Sequence, residues 1–204
     1  METLMSSMPD QIVRRLRARG RGAVFTPKDF LDLGARAAID QALSRLVRKG
    51  TVRRLTRGLY DYPRISPKLG SLSPAPDAVA HAVAKQTGSA VQVAGAQAAN
   101  LLGLSTQVPA QSTYLTDGPS RRVRIGRRVI DLRHASPRSL VAPGSTAGTV
   151  IQALRHVGHD AAMDAADALA TTLSADDRRR LAREIINAPG WMRPILGRIV
   201  GTVV

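Results

Sequence analysis

Apolar residues recur at helical spacing along much of this chain and alternate in a few short runs. The clearest helical pattern is "ARAAIDQALSRLVRKG", from Ala35 to Gly50. Ile39, Ala42, Leu43, Leu46 and Val47 follow the i, i+3, i+4, i+7 rule, while Arg36, Asp40, Gln41, Ser44 and Arg48 fall on the other side. Upstream, "PDQIVRRLRARG" puts Ile12, Val13 and Leu16 at helical spacing against arginines, and Gly20 and Gly22 end it. "AVFT" reads as a brief strand. In "TPKDFLDLG", Thr26 is a good N-cap, Pro27 suits the first helical position and Asp29 suits the positive helix end. This predicts a further short helix that stops at Gly34.

"TVRRLTRGLYDYP", Thr51 to Pro63, follows directly. Arg57 and Gly58 make a tight turn between two β-prone arms, which predicts a hairpin. Val52 and Leu55 have opposite parity, so one of them faces the wrong side unless a bulge intervenes. Helix, short strand, helix, Gly turn, helix and hairpin together make a winged helix-turn-helix over residues 1–64. Residues 65–76, with Pro67, Pro74 and Pro76, read as a Pro-rich linker. Residues 77–204 read as a second, mixed α/β domain, with short strands over 88–134 and helices over 145–202 that end in a bundle. The expected class is α+β. No internal repeat is visible.

Composition changes this picture mainly through charge. The chain has 204 residues, a formal net charge of +15 and no cysteine. Fifteen Lys and Arg stand against six Asp and Glu in the first 70 residues, and fifteen against nine in the rest. Such an excess points to a polyanion or an acidic protein. Most of it is arginine, which binds phosphate or guanine through two nitrogens at once. Aromatics make up only 3%, too few for a protein that stacks single-stranded bases on several rings. The absence of cysteine excludes disulfides, thiolate zinc sites and Cys nucleophiles. "METLMSSMPD" lacks a basic region followed by an apolar run, and no apolar stretch is long enough for a bilayer. A cytoplasmic chain with no membrane partner is expected.

The second helix of a helix-turn-helix reads base edges in the major groove. Its candidates are Arg36, Gln41, Ser44, Arg45, Arg48 and Lys49. Arg can hold guanine, and Gln adenine, by paired hydrogen bonds. On the hairpin, Arg53, Arg54 and Arg57 sit where a wing meets the backbone or the minor groove; charges that protect an edge strand are the alternative. Leu55, Leu59 and Tyr60 are expected to pack the wing onto the helices. Arg14, Arg15 and Lys28 are candidates for the phosphate backbone. Arg121, Arg122, Arg124, Arg127 and Arg128, in "RRVRIGRR", either extend that footprint, bind an acidic partner or are simply solvated. In "DDRRRLAREI", Arg178, Arg179 and Arg183 either pair internally or face a partner. No catalytic constellation is found. His156 and His159 lack a third metal ligand unless Asp160 joins them. "APGSTAGT" lacks the Lys of a phosphate loop. No enzyme, cofactor or metal is expected.

"GTVRRLTRGLYDYP" resembles the N-terminal domain of AbiEi-type (DUF6088-like) antitoxins of bacterial type IV toxin–antitoxin systems. "AANLLGLSTQVPAQSTYLTDG", Ala98 to Gly118, and "RRVRIGRRVIDLRHASPR" look like the second domain of that group. The hairpin motif is shared by many winged helices; "LGLSTQVPA" is more distinctive. The resemblance implies an antitoxin that represses its own operon by binding inverted repeats in promoter DNA. Its second domain would counter a nucleotidyltransferase-like toxin, with or without a stable complex. Arg178, Arg179 and Arg183 would then face the toxin. The sequence leaves operator and oligomeric state open, and a monomer is allowed. Two other readings remain at this point: a stand-alone winged-helix regulator whose second domain binds a ligand or protein, and an RNA-binding protein.

Overall fold

In the computed structural model, residues 7–107, 109 and 111–201 are described. The fold is α+β, and the chain divides into two compact units. The first runs up to Thr87, with Ile125–Arg127 grouped to it; the second holds Gly88–Arg124 and the chain from Arg128 onward.

The first unit begins with α1, Met8–Arg19, capped by the Ser7 hydroxyl, which accepts from the Asp10 N–H. Strand β1, Val24–Phe25, follows. Residues Pro27–Phe30 form a single 3-10 turn rather than the longer helix that the sequence predicts. The capping box explains its start: Asp29 accepts from the Thr26 N–H at 2.8 Å. Helix α2, Arg36–Arg48, buries Ile39, Ala42, Leu43 and Leu46. Strands β2, Arg53–Thr56, and β3, Leu59–Asp61, form the hairpin. The resulting sheet is antiparallel with order β1-β3-β2. Ile12, Leu16, Phe25, Phe30, Ile39, Leu43 and Val52 share one core. Phe25 meets the edge of Phe30 at 5.5 Å and stacks on Tyr60 at 6.0 Å. Leu59 is buried as well.

The parity conflict in the hairpin is resolved by a bulge. Thr56 pairs with Leu59, Arg54 with Tyr60 and Arg53 with Asp61, so the register shifts at Leu55. Residues 65–76, read from the sequence as a linker, carry a small hairpin of β4, Ile65–Ser66, and β5, Gly70–Ser71. Helix α3, Pro76–Thr87, then belongs to the first unit.

The second unit opens with β6, Val91–Val93, and α4, Gly95–Leu101. Strands β7, Ser112–Thr116, β8, Arg121–Ile125, and β9, Arg128–His134, complete a sheet ordered β6-β7-β9-β8. β6 runs antiparallel to β7, and β7 parallel to β9. Helix α5, Thr146–Thr172, is broken at Gly158, whose φ of 82° lies outside the helical region and is easy only for glycine. The sequence reads this stretch as two helices separated there. Helices α6, Ala175–Glu184, and α7, Arg193–Val200, pack on α5. Their core holds Ile151, Leu154, Leu169, Leu181, Met192, Leu196 and Ile199. Sheet and helices are joined through buried Gln92. Its amide donates to the Thr149 hydroxyl at 3.1 Å and accepts from the Gly144 N–H at 2.8 Å.

Candidate nucleic-acid interface

The pattern that buries one side of α2 leaves the other side bare. Gln41, Ser44, Arg45, Arg48 and Lys49 are all exposed. Among the described residues, none of their side chains has a hydrogen-bond or ion-pair partner. Arg36 is also exposed, and its Nε pairs with Asp40 at 2.9 Å, one turn on. Exposed i, i+4 pairs of this kind stabilise a helix by only about 0.3–0.5 kcal/mol, so Arg36 exchanges partners easily. The α2 N-terminus has no side-chain cap and no acidic residue in its first turn. Apart from the Arg36–Asp40 pair, the surface is therefore a helix face of polar side chains without internal partners among the described residues.

The three hairpin arginines have different fates. Arg53 donates to Asp61 through Nε at 3.0 Å and Nη2 at 2.6 Å. It also reaches the Ser71 hydroxyl at 3.1 Å and the Leu72 carbonyl at 2.8 Å. The hydrogen bonds to Asp61 raise its already high pKa further. Asp61 is 0% exposed, so this pair is a fixed part of the unit. Through these bonds Arg53 ties the β4–β5 segment to the hairpin. Arg54 and Arg57 are exposed and without partners among the described residues. Gly58, at φ 73°, makes the turn between them and Leu59, and its carbonyl accepts from Gln86 at 3.2 Å. The hairpin tip is thus held by α3.

The backbone candidates divide in the same way. Arg14 is exposed and unpaired among the described residues. Arg15 grips Asp32 with both terminal nitrogens. Lys28 donates to the Gln86 carbonyl at 2.6 Å. Beside it lies a cluster that sequence reasoning missed. Asp29, only 4% exposed, accepts from Lys85 at 2.5 Å and lies 3.4 Å from Arg19. Burial pushes the Asp29 carboxyl up, but Lys85, the Thr26 N–H and Arg19 outweigh it and hold it below the ordinary aspartate range. Asp29 was legible as a cap; Lys85, 56 residues on, was not.

In the second unit, Arg122 lies 3.6 Å and Arg133 3.0 Å from the buried Asp131. Arg124 and Arg128 are exposed, as is Arg127 in the segment grouped with the first unit, and Arg121 is exposed with an internal interaction. Arg179 and Arg180 pair with Asp176 at 3.4 and 2.8 Å. Arg178 is half-buried and Arg183 exposed, neither ion-paired among the described residues. Among those residues, no three metal-ligating side chains gather, and no helix is long and apolar enough to cross a membrane.

These features define an α+β chain whose first unit offers a helix face and a hairpin tip of unpaired cations. By sequence it belongs to a family of unknown function, DUF6088, whose model matches residues 11–181. No curated protein matches the chain. Among solved structures, it is similar to the crystal structure of the RV2827C protein from Mycobacterium tuberculosis. The two are 18% identical, with 93% of this chain and 75% of that chain covered and a TM-score of 0.43. A likeness this loose carries no argument about function.

Proposed function

We propose that the first unit is a winged helix-turn-helix that binds duplex DNA, and that the chain is an antitoxin repressing its own promoter. The observation that carries the DNA half is the outward face of α2. Gln41, Arg45, Arg48 and Lys49 are presented together with no internal partner. Desolvating paired charges is costly, so unpaired ones are where a polyanion gains most. Gln41 and Arg45 or Arg48 are the base readers, for adenine and guanine. Arg54 and Arg57 on the wing, with Arg14, hold phosphates and set the register. The antitoxin half is supported by the sequence resemblance, in which the second domain counters a nucleotidyltransferase-like toxin. The chain does no chemistry of its own in this reading.

A promoter shift with the full chain tests the first half. Binding to inverted repeats upstream of the gene is expected. Each phosphate contact should steepen the fall of log affinity with log salt by about 0.9. No shift at low salt would remove the repressor reading. Co-expression with the adjacent gene product tests the second half, with growth rescue as the expected result.

A further inference from the structure

The second unit carries an apolar groove that the DNA reading does not use. It lies between α6 and α7, has a volume of about 630 Å³, and is lined by Ala182, Ile185, Ile186, Arg193, Pro194 and Gly197. Ile186 stands at its edge and is 73% exposed. Trp191, the only tryptophan in the chain, follows Gly190, which also lines the groove, and is 37% exposed. Its ring lies 5.6 Å from that of His159. Large apolar side chains left in water on a helical bundle mark an interaction surface.

The charge around the groove says what fits it. Arg193 donates through Nη2 to the Ile186 carbonyl at 3.0 Å and through Nε to the Ala188 carbonyl at 3.4 Å. These bonds fix the guanidinium at the groove but leave its charge unneutralised, since no carboxylate pairs with it among the described residues. Arg183 is exposed and equally unpaired. Across residues 174–201, six arginines stand against three carboxylates, and one of the six, Arg198, is paired with Asp167 outside that stretch. Of the carboxylates, Asp176 is occupied by Arg179 and Arg180, and Glu184 accepts from Asn187.

We propose that this groove docks an acidic amphipathic helix of a protein partner. Its apolar side chains, one turn apart, would lie on Ile185, Ile186 and Pro194, and its carboxylates would meet Arg193 and Arg183. A helix laid in a groove is read through such anchors. Nucleic acid is a poor occupant, because Arg193 is the one polar side chain in the lining and the rest offers phosphate no side-chain donor. A second copy is a poor one too, because it would set one arginine-rich edge against another. The proposal is independent of the promoter reading: a chain that binds its promoter but fails the test below loses only the groove.

The probe is a synthetic helical peptide with leucines one turn apart and glutamates along the flanks. A control carries lysines in place of the glutamates. Binding to the full chain is followed by Trp191 fluorescence and by anisotropy of a labelled peptide. The glutamate peptide is expected to bind at least about tenfold tighter than the lysine one. Ile186→Ser should weaken it by about tenfold, because a large apolar lining residue is removed at an exposed position where folding is not at stake. Arg193→Glu should reverse the preference between the two peptides. Arg183→Glu, at a residue with no internal role, asks the same question if the Arg193 variant melts early. The proposal is overturned if the folded chain ignores the glutamate peptide or binds both peptides equally. It is also overturned if Ile186→Ser leaves the affinity unchanged.

Discussion

The α2 face with its hairpin and the α6–α7 edge are both rich in arginine, yet they present opposite surfaces. On the first, the apolar residues are hidden: Ile39, Leu43, Leu46 and Leu59 are buried, and cations and a glutamine remain outside. On the second, Ile186 and Trp191 stay in water among the arginines. Charge alone does not tell these surfaces apart. What separates them is whether the apolar side chains beneath the charge have been used by the fold. A surface of cations over a sealed core suits a polyanion, because phosphate needs donors and no apolar contact. Cations around an open apolar groove suit a protein helix.

The largest expected effect would break the first surface from within. Arg53→Ala leaves Asp61 buried without its partner, and such a loss costs about 3–5 kcal/mol. A thermal or urea melt should show it, whereas Arg54→Ala should change stability by no more than about 0.5 kcal/mol. Equal destabilisation by both variants would undo the distinction between a tied and a free hairpin arginine.

The next effect is on DNA. Arg45→Ala and Arg48→Ala should each weaken promoter binding by about 1–3 kcal/mol if they read bases, and relax preference at one position. If a variant instead weakens cognate and random duplexes alike and lowers the salt slope by about one, that arginine is a phosphate contact. Competition titrations on both duplexes decide this, and the same variants should leave the Leu/Glu peptide affinity unchanged.

Asp29→Asn should cost about 1–2 kcal/mol through the lost cap and the lost acceptor of Lys85. Because its folded pKa lies below the unfolded value of about 3.9, the Asp29 contribution is complete above that pH. It disappears as pH falls through the folded pKa. An acid titration followed by circular dichroism should therefore find the wild type losing this advantage over Asp29→Asn below about pH 4. The smallest effect is at His81. The hydrogen bond with Asp77 raises its pKa despite an opposing effect of burial. Its contribution is present below about pH 6.5 and lost as pH rises through the folded value. The pair is half-exposed, so a melt across this range should change by only a few tenths of a kcal/mol.

Much of the fold was legible because it follows from local chemistry. The α2 periodicity names its buried residues, Ser174 and the two aspartates after it mark the start of α6, and Gly158 marks the break in α5. One expectation was revised. The segment after Phe30 does not continue as a helix, since one 3-10 turn already places Phe30 in the core. Residues 65–76, read as a Pro-rich linker, also carry a pair of two-residue strands in which Ser66 pairs with Gly70.

What the sequence by itself determined is which segments are amphipathic, where turns fall and that the chain carries a net charge of +15. It also raised the parity conflict between Val52 and Leu55. Only the tertiary structure decided what that conflict does. In a regular hairpin with Thr56 opposite Leu59, Arg54 would stand across from Asp61. The bulge at Leu55 slides the strand by one residue and puts Arg53 there instead. A carboxylate buried beneath the sheet can hold only the arginine that the register brings to it. The choice of which cation is locked and which stays free is therefore a matter of pairing geometry, to which two adjacent arginines in the sequence give no clue.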